Sequence, residues 1–315
     1  MANSEGVSGV DSFVLYGEET AYNTEQATVE THLGLIKSFT PKITNNNAYT
    51  RGFVGTTSGG RNVAKVIPGT VDHDISVDME VINWAFLEYV LGSVAGSDPY
   101  TYSEDNTPPS LTIHRCIDNP GTASTDQDSI WTGCVIESCT IKASVGEPVT
   151  VSLTMKGAHR ELDTTILSKQ ALGTIPGFSF AGGSIELPNA SAMSNIIDSV
   201  ELTITNDFDM RKGLGSRETQ NALARARDYK IKFTVAYLDN DLLTAVQGAA
   251  IPTGTTNPTE YVTIELNFAQ GVYTAAFLFT TFVFDEMSGK ENVNEIIGED
   301  LSGTAFSLAV TETRS

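Results

Sequence analysis

The sequence of 315 residues is poor in cysteine and has neither a long apolar run nor an apolar start. Its three cysteines, Cys116, Cys134 and Cys139, are an odd number, which argues against a disulfide framework and favours free, buried thiols. Cys134 and Cys139 are five apart on one predicted strand, so we expect them to face opposite sides. The densest apolar stretch, Tyr273 to Phe284, is shorter than the roughly 20 residues of a membrane-spanning helix. Residues 1 to 11 are small and polar, and no signal peptide is predicted.

Basic residues are also few: 19 Lys and Arg stand against 39 Asp and Glu, and the formal net charge is −20. Such a surface repels phosphates, so tight binding of nucleic acid is not expected. The four histidines have no HExxH-like spacing, and the sequence has no GxSxG elbow, Walker A loop or GxGxxG after a strand. The sequence therefore predicts no catalytic group, no metal site and no cofactor.

What the sequence does contain is a strand that runs directly into a short helix. From Val71 to Val81 apolar or neutral residues alternate with polar ones, which is typical of a half-buried strand. Apolar residues then follow at helical spacing up to Val90, with Asn83 as a candidate cap and Gly92 as a candidate end.

A second strand-helix unit runs from Tyr229 to Gly248 and matches the first in order. Ile231 corresponds to Ile75, and Gly248 to Gly92. Upstream, IKSFTPKIT (Ile36 to Thr44) resembles IDSVELTIT (Ile197 to Thr205), and downstream, LTIHRCI resembles VTIELNF. We interpret the chain as one fold duplicated. The predicted organisation is an N-terminal arm (1–30), a first domain (31–160), a linker (161–191) and a second domain (192–315).

Most of each copy reads as antiparallel strands. The clearest hairpin joins Trp131–Val145 to Val149–Lys156 through Gly146, Glu147 and Pro148. A short helix is predicted at Glu218–Ala226, inside a basic loop, and a polar loop is predicted at Ser93–Ser110. The long, half-polar strands carry no obvious edge protection, which suggests that their sheets continue into neighbouring subunits.

Four carboxylates, Asp72, Asp74, Asp78 and Glu80, follow one face of the first strand. A solvated acidic face explains them best; a calcium site or the acid and base of a glycosidase are the alternatives. The basic loop from Arg211 to Arg227 fits docking onto an acidic neighbouring subunit better than nucleic-acid binding.

Several segments together resemble the tail tube proteins (major tail proteins) of tailed viruses of bacteria and archaea. They are GEExxY from Gly17, LGLIKSFTP from Leu33, IPGTVDHDISVDMEVINWAFLEYVLGS from Ile67 and TGCVIESCTIKASVGEPVTVSLTMKG from Thr132. The resemblance is strongest over residues 15–160. It implies a mostly-β fold of two tandem tail-tube-like β-sandwich domains, each with one short helix, whose strands join an inter-subunit β-barrel.

The resemblance also implies a function. Copies would form trimeric, pseudo-hexameric rings that stack into the hollow tail tube through which viral DNA is ejected, in a virion assembled in the host cytoplasm. Partners would be other copies, tail proteins at the tube ends and DNA that passes without specific binding; no membrane is involved. Candidate lumen-lining residues are Asp72, Asp74, Asp78, Glu80, Ser138, Thr140, Thr150, Ser152 and Thr154. Candidate inter-ring loop contacts are Arg51, Arg61, Lys65, Arg211, Lys212 and Arg217.

Two rival functions fit parts of the sequence. A virion-surface or secreted β-sandwich that binds a receptor or glycan would explain the threonine-rich loops, and would expose aromatic patches. A jelly-roll hydrolase would need a cleft around the carboxylates of Asp72 to Glu80.

Overall fold

The computed structural model describes residues 12–26, 29–50, 65–117, 127–163, 167–168, 170, 177–186, 197–236, 241–290 and 298–314. Their fold is mostly β, as predicted. No helix among these residues is long and apolar enough to cross a membrane.

The helices are α1 (Leu87–Leu91) and α2 (Asp241–Gln247). The strands are β1 (Ser12–Glu18), β2 (Leu35–Asn45), β3 (Ala48–Thr50), β4 (Lys65–Ile67), β5 (Val71–Glu80), β6 (Gly92–Ala95), β7 (Tyr100–Glu104), β8 (Leu111–Ile117), β9 (Gln127–Ser144), β10 (Thr150–Gly157), β11 (His159–Asp163), β12 (Gly183–Glu186), β13 (Ile197–Lys212), β14 (Thr219–Ala236), β15 (Glu260–Gln270), β16 (Tyr273–Lys290) and β17 (Gly298–Thr313).

The described strands, except the small β3–β4 hairpin, form one continuous antiparallel sheet. Its path runs β2-β5-β10-β9-β13-β14-β17-β16-β15-β12. The first half of the chain supplies β2, β5, β10 and β9, and the second half supplies β13, β14, β17 and β16. The two halves meet where the C-terminal part of β9 pairs with β13, from Ser199 opposite Ser144 to Thr205 opposite Ser138.

The two halves arrange their strands in the same spatial order. β2-β5-β10-β9 in the first half corresponds to β13-β14-β17-β16 in the second, and β8 and β15 flank the long strands β9 and β16 in the same way. The division into residues 31–160 and 192–315 remains a prediction, which this shared order favours.

Irregularities of the ladders also recur at corresponding places. Lys37 forms a bulge where β2 pairs with β5, and Asp198 forms a bulge where β13 pairs with β14. Glu137 forms a bulge where β9 pairs with β10, and Asp285 forms a bulge where β16 pairs with β17. A positive φ precedes each of the latter bulges, at Gly133 (62°) and Thr281 (50°). Because a bulge fixes register and twist locally, these matches align the halves residue by residue.

Long strands bend so that each half forms a β-sandwich. The N-terminal part of β9 pairs with β8 and β11, whereas its C-terminal part pairs with β10 and β13. The apolar faces enclose one core cluster that includes residues of both halves. Trp84, fully buried before α1, contacts Phe178, Phe268 and Phe277 at ring-centroid distances of 5.0 to 5.7 Å. Aromatic packing therefore ties the first half to the second.

Both predicted helices are present, and both end at glycine. Gly92 (φ 112°) and Gly248 (φ 78°) adopt left-handed conformations that favour glycine. A Cβ on Gly92 would lie 2.8 Å from the Asp105 side chain, and one on Gly248 would lie 1.6 Å from the Asn257 carbonyl oxygen. α1 is shorter than predicted, because Asn83 caps a preceding turn through the Ala85 amide (3.1 Å).

Three expectations about local structure were wrong. Glu218–Ala226 forms no helix; β14 begins at Thr219, because pairing with β13 outweighs the intrinsic preference of its alanines and arginines. The predicted polar loop Ser93–Ser110 contains β6 and β7. Cys134 and Cys139 both face the core, since the bulge at Glu137 adds a residue between them. All three cysteines are free and buried, as predicted.

Candidate functional site

One face of the central sheet is polar from β2 to β16. Pairing places Glu80, Thr150 and Lys142 in one row, and the next row contains Asp78, Ser152 and Thr140. The rows cross the junction between the halves, where Lys142 lies opposite Glu201 and Thr140 opposite Thr203. All nine candidate lining residues therefore lie on one face: Asp72, Asp74, Asp78, Glu80, Ser138, Thr140, Thr150, Ser152 and Thr154.

This polar face is mainly composed of Ser, Thr, Asp, Glu and Lys, and it carries more acids than bases. In register along β2 to β16 are eight carboxylates: Asp72, Asp74, Asp78, Glu80, Glu201, Asp228, Glu286 and Asp300. The described lysines in the same register are Lys42, Lys142, Lys156, Lys230 and Lys232. At the bulges, Lys37 contacts Glu80 and Glu137 contacts Lys156, so the face carries one further lysine and one further carboxylate. The remaining positions are mostly hydroxyls, so the face is well hydrated and moderately acidic.

Neighbouring strands hold many of these charges in pairs. Lys142 contacts Glu201 at 2.7 Å across the junction, and Lys156 contacts Glu137 at 2.7 Å. The Ser152 hydroxyl donates to Asp78 at 2.7 Å. These groups are partly exposed, so each pair contributes little to stability. Their main effect is to fix where charge lies on the face.

The Asp72 end of the face contacts the β13–β14 hairpin. Lys212 and Asn46 both donate hydrogen bonds to the Asp72 carboxylate. Burial acts to raise the pKa of Asp72, but these bonds and the Lys212 charge outweigh it and hold the pKa below its ordinary value. Arg217 donates to the Gly69 carbonyl oxygen (2.7 Å) and to Asn45 (3.0 Å).

The candidate inter-ring contacts therefore divide into three groups. Lys212 and Arg217 bind residues of their own chain. Arg211 pairs with Asp209 but stays 63% exposed, and Lys65 is exposed on β4. Arg51 and Arg61 lie outside the described residues. No sequence pattern indicated that the tip of the β13–β14 hairpin would pack on the first half.

The sheet has two open edges, called margins here: one on β2 and one on the C-terminal part of β16. The corresponding edges of β13 and β9 pair with each other inside the chain. β13 pairs with β9, but β2, which holds the same place in the first half, pairs only with β5 among the described strands. β9 pairs with β13 beyond its bulge, but the corresponding part of β16, Glu286–Lys290, pairs only with β17 among the described strands. An unpaired strand edge is a template for another chain.

Burial differs between corresponding residues of these strands. Ile204 on β13 has no exposed surface, whereas Ile43, its counterpart on β2, is 41% exposed. Cys139 on β9 is also fully buried, whereas its counterpart Met287 on β16 is only partly buried. The margins therefore leave apolar surface uncovered where the in-chain junction covers it.

A family model described as phage tail tube protein matches residues 9–305, nearly the whole chain. This chain belongs to the phage tail tube protein family. It is thus a structural protein of the virion tail that self-assembles into a tube with other tail components. A comparison with proteins of curated function found no match.

The tail tube protein has no group of three or more His, Cys, Asp or Glu placed to hold a metal ion among its described residues. Its cysteines are poor nucleophiles, because burial raises the pKa of Cys116 to about 12 and also raises those of Cys134 and Cys139. The polar face and the two margins are the candidate functional features of this tail tube protein.

Proposed function

We propose that three copies of this tail tube protein close into a ring, and that rings stack into a hollow tube through which viral DNA is ejected. The observation that carries the proposal is the junction between β9 and β13, which joins two corresponding halves side by side. The margins on β16 and β2 are the counterparts of those two strands. The same junction can therefore be repeated between one chain and the next.

The register of the in-chain junction specifies the register between chains. Thr203 lies opposite Thr140, and Ile204 lies opposite Cys139. Transferred to the margins, Lys42 of one chain lies opposite Ser288 of the next, and Ile43 lies opposite Met287. This pairing buries the exposed surface of Ile43. Pro41 lacks an amide hydrogen and contributes only its carbonyl oxygen to the ladder.

Ring closure is proposed to produce a β-barrel to which each chain contributes two domains, at 31–160 and 192–315. Closure removes the two open edges on β2 and β16, which is the general way in which barrels avoid open-ended association. Three duplicated chains then occupy the six places of the hexameric rings that the family resemblance implies. Closure by other numbers of chains is an outcome that the experiment below distinguishes.

The polar face is proposed to line the lumen. The described part of this face carries more carboxylates than lysines, which gives the wall an excess of negative charge, and its hydroxyls retain water. Such a wall repels phosphates, so DNA slides through without adhering. The function requires no catalysis, and we propose that the protein has none.

Electron microscopy of the concentrated protein tests the ring. The expected result is hollow cylinders whose cross-sections show six similar lobes built from three chains of 33.7 kDa each. Compact particles of one chain at all concentrations would contradict the proposal. They would favour the rival function of a receptor-binding or glycan-binding sandwich, although Tyr49 and Phe306 are the only aromatics among the large apolar residues that the structure describes as exposed.

Cysteine labelling tests which face lines the lumen. Ser152→Cys places a thiol on the polar face, and Val262→Cys, at a residue 75% exposed on β15, is the matched control on the other sheet. In assembled tubes a bulky maleimide polymer is expected to react slowly at residue 152 and rapidly at residue 262. Rapid reaction at residue 152 and slow reaction at residue 262 would place the polar face on the outer wall.

A further inference from the structure

A second contact joins the two halves on the outer sheet, away from the β9–β13 junction. The β6–β7 hairpin of the first half lies along the C-terminal part of β17, with Tyr102 opposite Val310. Val310 has no exposed surface, and Tyr102 is 1% exposed. The Tyr102 hydroxyl donates to Glu312 at 2.7 Å. This hairpin therefore seals the outer edge of β17.

The first half has a counterpart of that edge in β11. His159 and Arg160 on β11 lie opposite Thr132 and Trp131, just as Ser307 and Leu308 on β17 lie opposite Thr280 and Phe279. This register puts Leu162 at the place of Val310. Leu162 is 66% exposed, and β11 pairs only with β9 among the described strands.

The second half has a counterpart of the β6–β7 hairpin in residues 248–259. Both segments leave a helix at a left-handed glycine and return to it by a backbone hydrogen bond of 2.8 Å, from Asp105 to Leu91 and from Thr259 to Ala245. Residues 248–259 contain no charged side chain, and Ile251 is 86% exposed. In its own chain this segment pairs with no described strand.

We propose that residues 248–259 of one subunit pack against β11 of the next copy and cover Leu162. The inference rests on the proposed ring and adds a second interface to it. The partner is another copy because the in-chain contact between corresponding segments supplies the geometry. The two interfaces lie on different sheets of the sandwich, so together they fix the angle at which subunits meet, which a single ladder leaves free to hinge.

Cross-linking of assembled tubes tests the contact. In Leu162→Cys/Asn257→Cys a short bis-maleimide is expected to join neighbouring chains into dimers and trimers on a denaturing gel, whereas each single variant stays monomeric. Leu162→Cys/Thr255→Cys provides a second placement of the thiol. Background reaction is low because Cys116, Cys134 and Cys139 have no exposed surface.

The outcomes separate the two proposals. Tubes in the microscope without cross-linked chains in either double variant would overturn this inference and leave the ring intact. Neither tubes nor cross-links would overturn both. Leu162→Asp gives an independent readout: the protein concentration needed for tubes should rise at least about tenfold, because an apolar side chain no longer becomes buried. An unchanged concentration would also contradict the contact.

Discussion

The in-chain junction and the two sheet margins are built from corresponding strands, but only the junction is complete in one chain. At the junction, β13 is covered by β9, and Val310 is covered by Tyr102. At the margins the counterparts, Ile43 and Leu162, remain exposed. In the proposed ring, the junction within the chain is therefore the template for the contacts between neighbouring chains.

The junction also contains a polar clasp centred on Glu312, and the residue at the corresponding place in the first half, Thr164, carries no carboxylate. Glu312, 2% exposed, accepts hydrogen bonds from the Trp84 amide (3.1 Å), Tyr102 (2.7 Å) and Arg314 (2.7 Å). Leu308 and Ser307 of β17 correspond to Arg160 and His159 of β11, so the place of Glu312 falls at residue 164, outside the described residues. The junction within a chain is thus reinforced, as suits a link that never has to assemble.

The largest expected effect comes from the same substitution at corresponding sites. Ile204→Asp buries an unpaired charge in the core and should lower the free energy of unfolding by more than about 4 kcal/mol. Ile43→Asp should change it by less than about 1 kcal/mol in the dissociated chain, yet abolish tubes. Denaturant unfolding and electron microscopy measure the two effects. Normal tube formation by Ile43→Asp would contradict the proposal that the β2 margin pairs with a neighbouring chain.

The clasp gives the next largest effect. Glu312→Ala leaves Arg314 and the Tyr102 hydroxyl without their shared partner, and we expect a loss of roughly 3 kcal/mol in the free energy of unfolding. Glu312→Gln keeps an acceptor and should lose less. Denaturant unfolding of dissociated chains provides the measurement. Equal stability of the alanine variant and the natural chain would show that the clasp contributes nothing.

The pair between Asp72 and Lys212 should contribute less, because the Asp72 side chain is 42% exposed. Asp72→Asn should reduce stability by about 0.5 kcal/mol at neutral pH. Because the folded-state pKa of Asp72 is lowered, the contribution is present above the unfolded pKa of about 3.9 and is lost as pH falls through the folded pKa.

The variant Asp72→Asn/Asp74→Asn also separates the main function from a hydrolase. A tube protein should still assemble tubes when both carboxylates become amides. Loss of assembly at unchanged stability would contradict a merely solvated, acidic role for these residues.

The smallest expected effect is a pH dependence from His73, which is 5% exposed and occupies the place of Tyr229. Burial lowers its pKa, with opposing effects from Glu218 and Asp72 and additional lowering by His159 and Arg160. The unfolded chain then binds the proton more readily, so stability falls as pH drops below about 6.5. His73→Phe should flatten this slope, and parallel slopes in the two proteins would contradict the assignment.

Patterns of period two and glycine positions predicted much of this fold. The alternation from Val71 to Glu80 became β5, and Gly92 and Gly248 end the helices, because these signals depend on local backbone geometry. The bulge at Glu137 could not be predicted, since a skipped residue leaves no local pattern. The wrongly predicted helix at Glu218–Ala226 shows that pairing between β13 and β14 outweighs the local preference for helix. The alternation predicted that the nine candidate residues share polar strand faces, whereas the second-half carboxylates of the polar face and the margins required the strand order.

The most direct test of the repeated junction is disulfide formation in the register that it specifies. Thr140→Cys/Thr203→Cys, at a pair whose hydroxyl oxygens lie 3.4 Å apart, should form a bond within one chain. Lys42→Cys/Ser288→Cys, at the corresponding margins, should form bonds between chains and give dimers and trimers on a non-reducing gel of assembled tubes. Tubes that contain no such linked chains, while the control pair oxidises normally, would contradict the account.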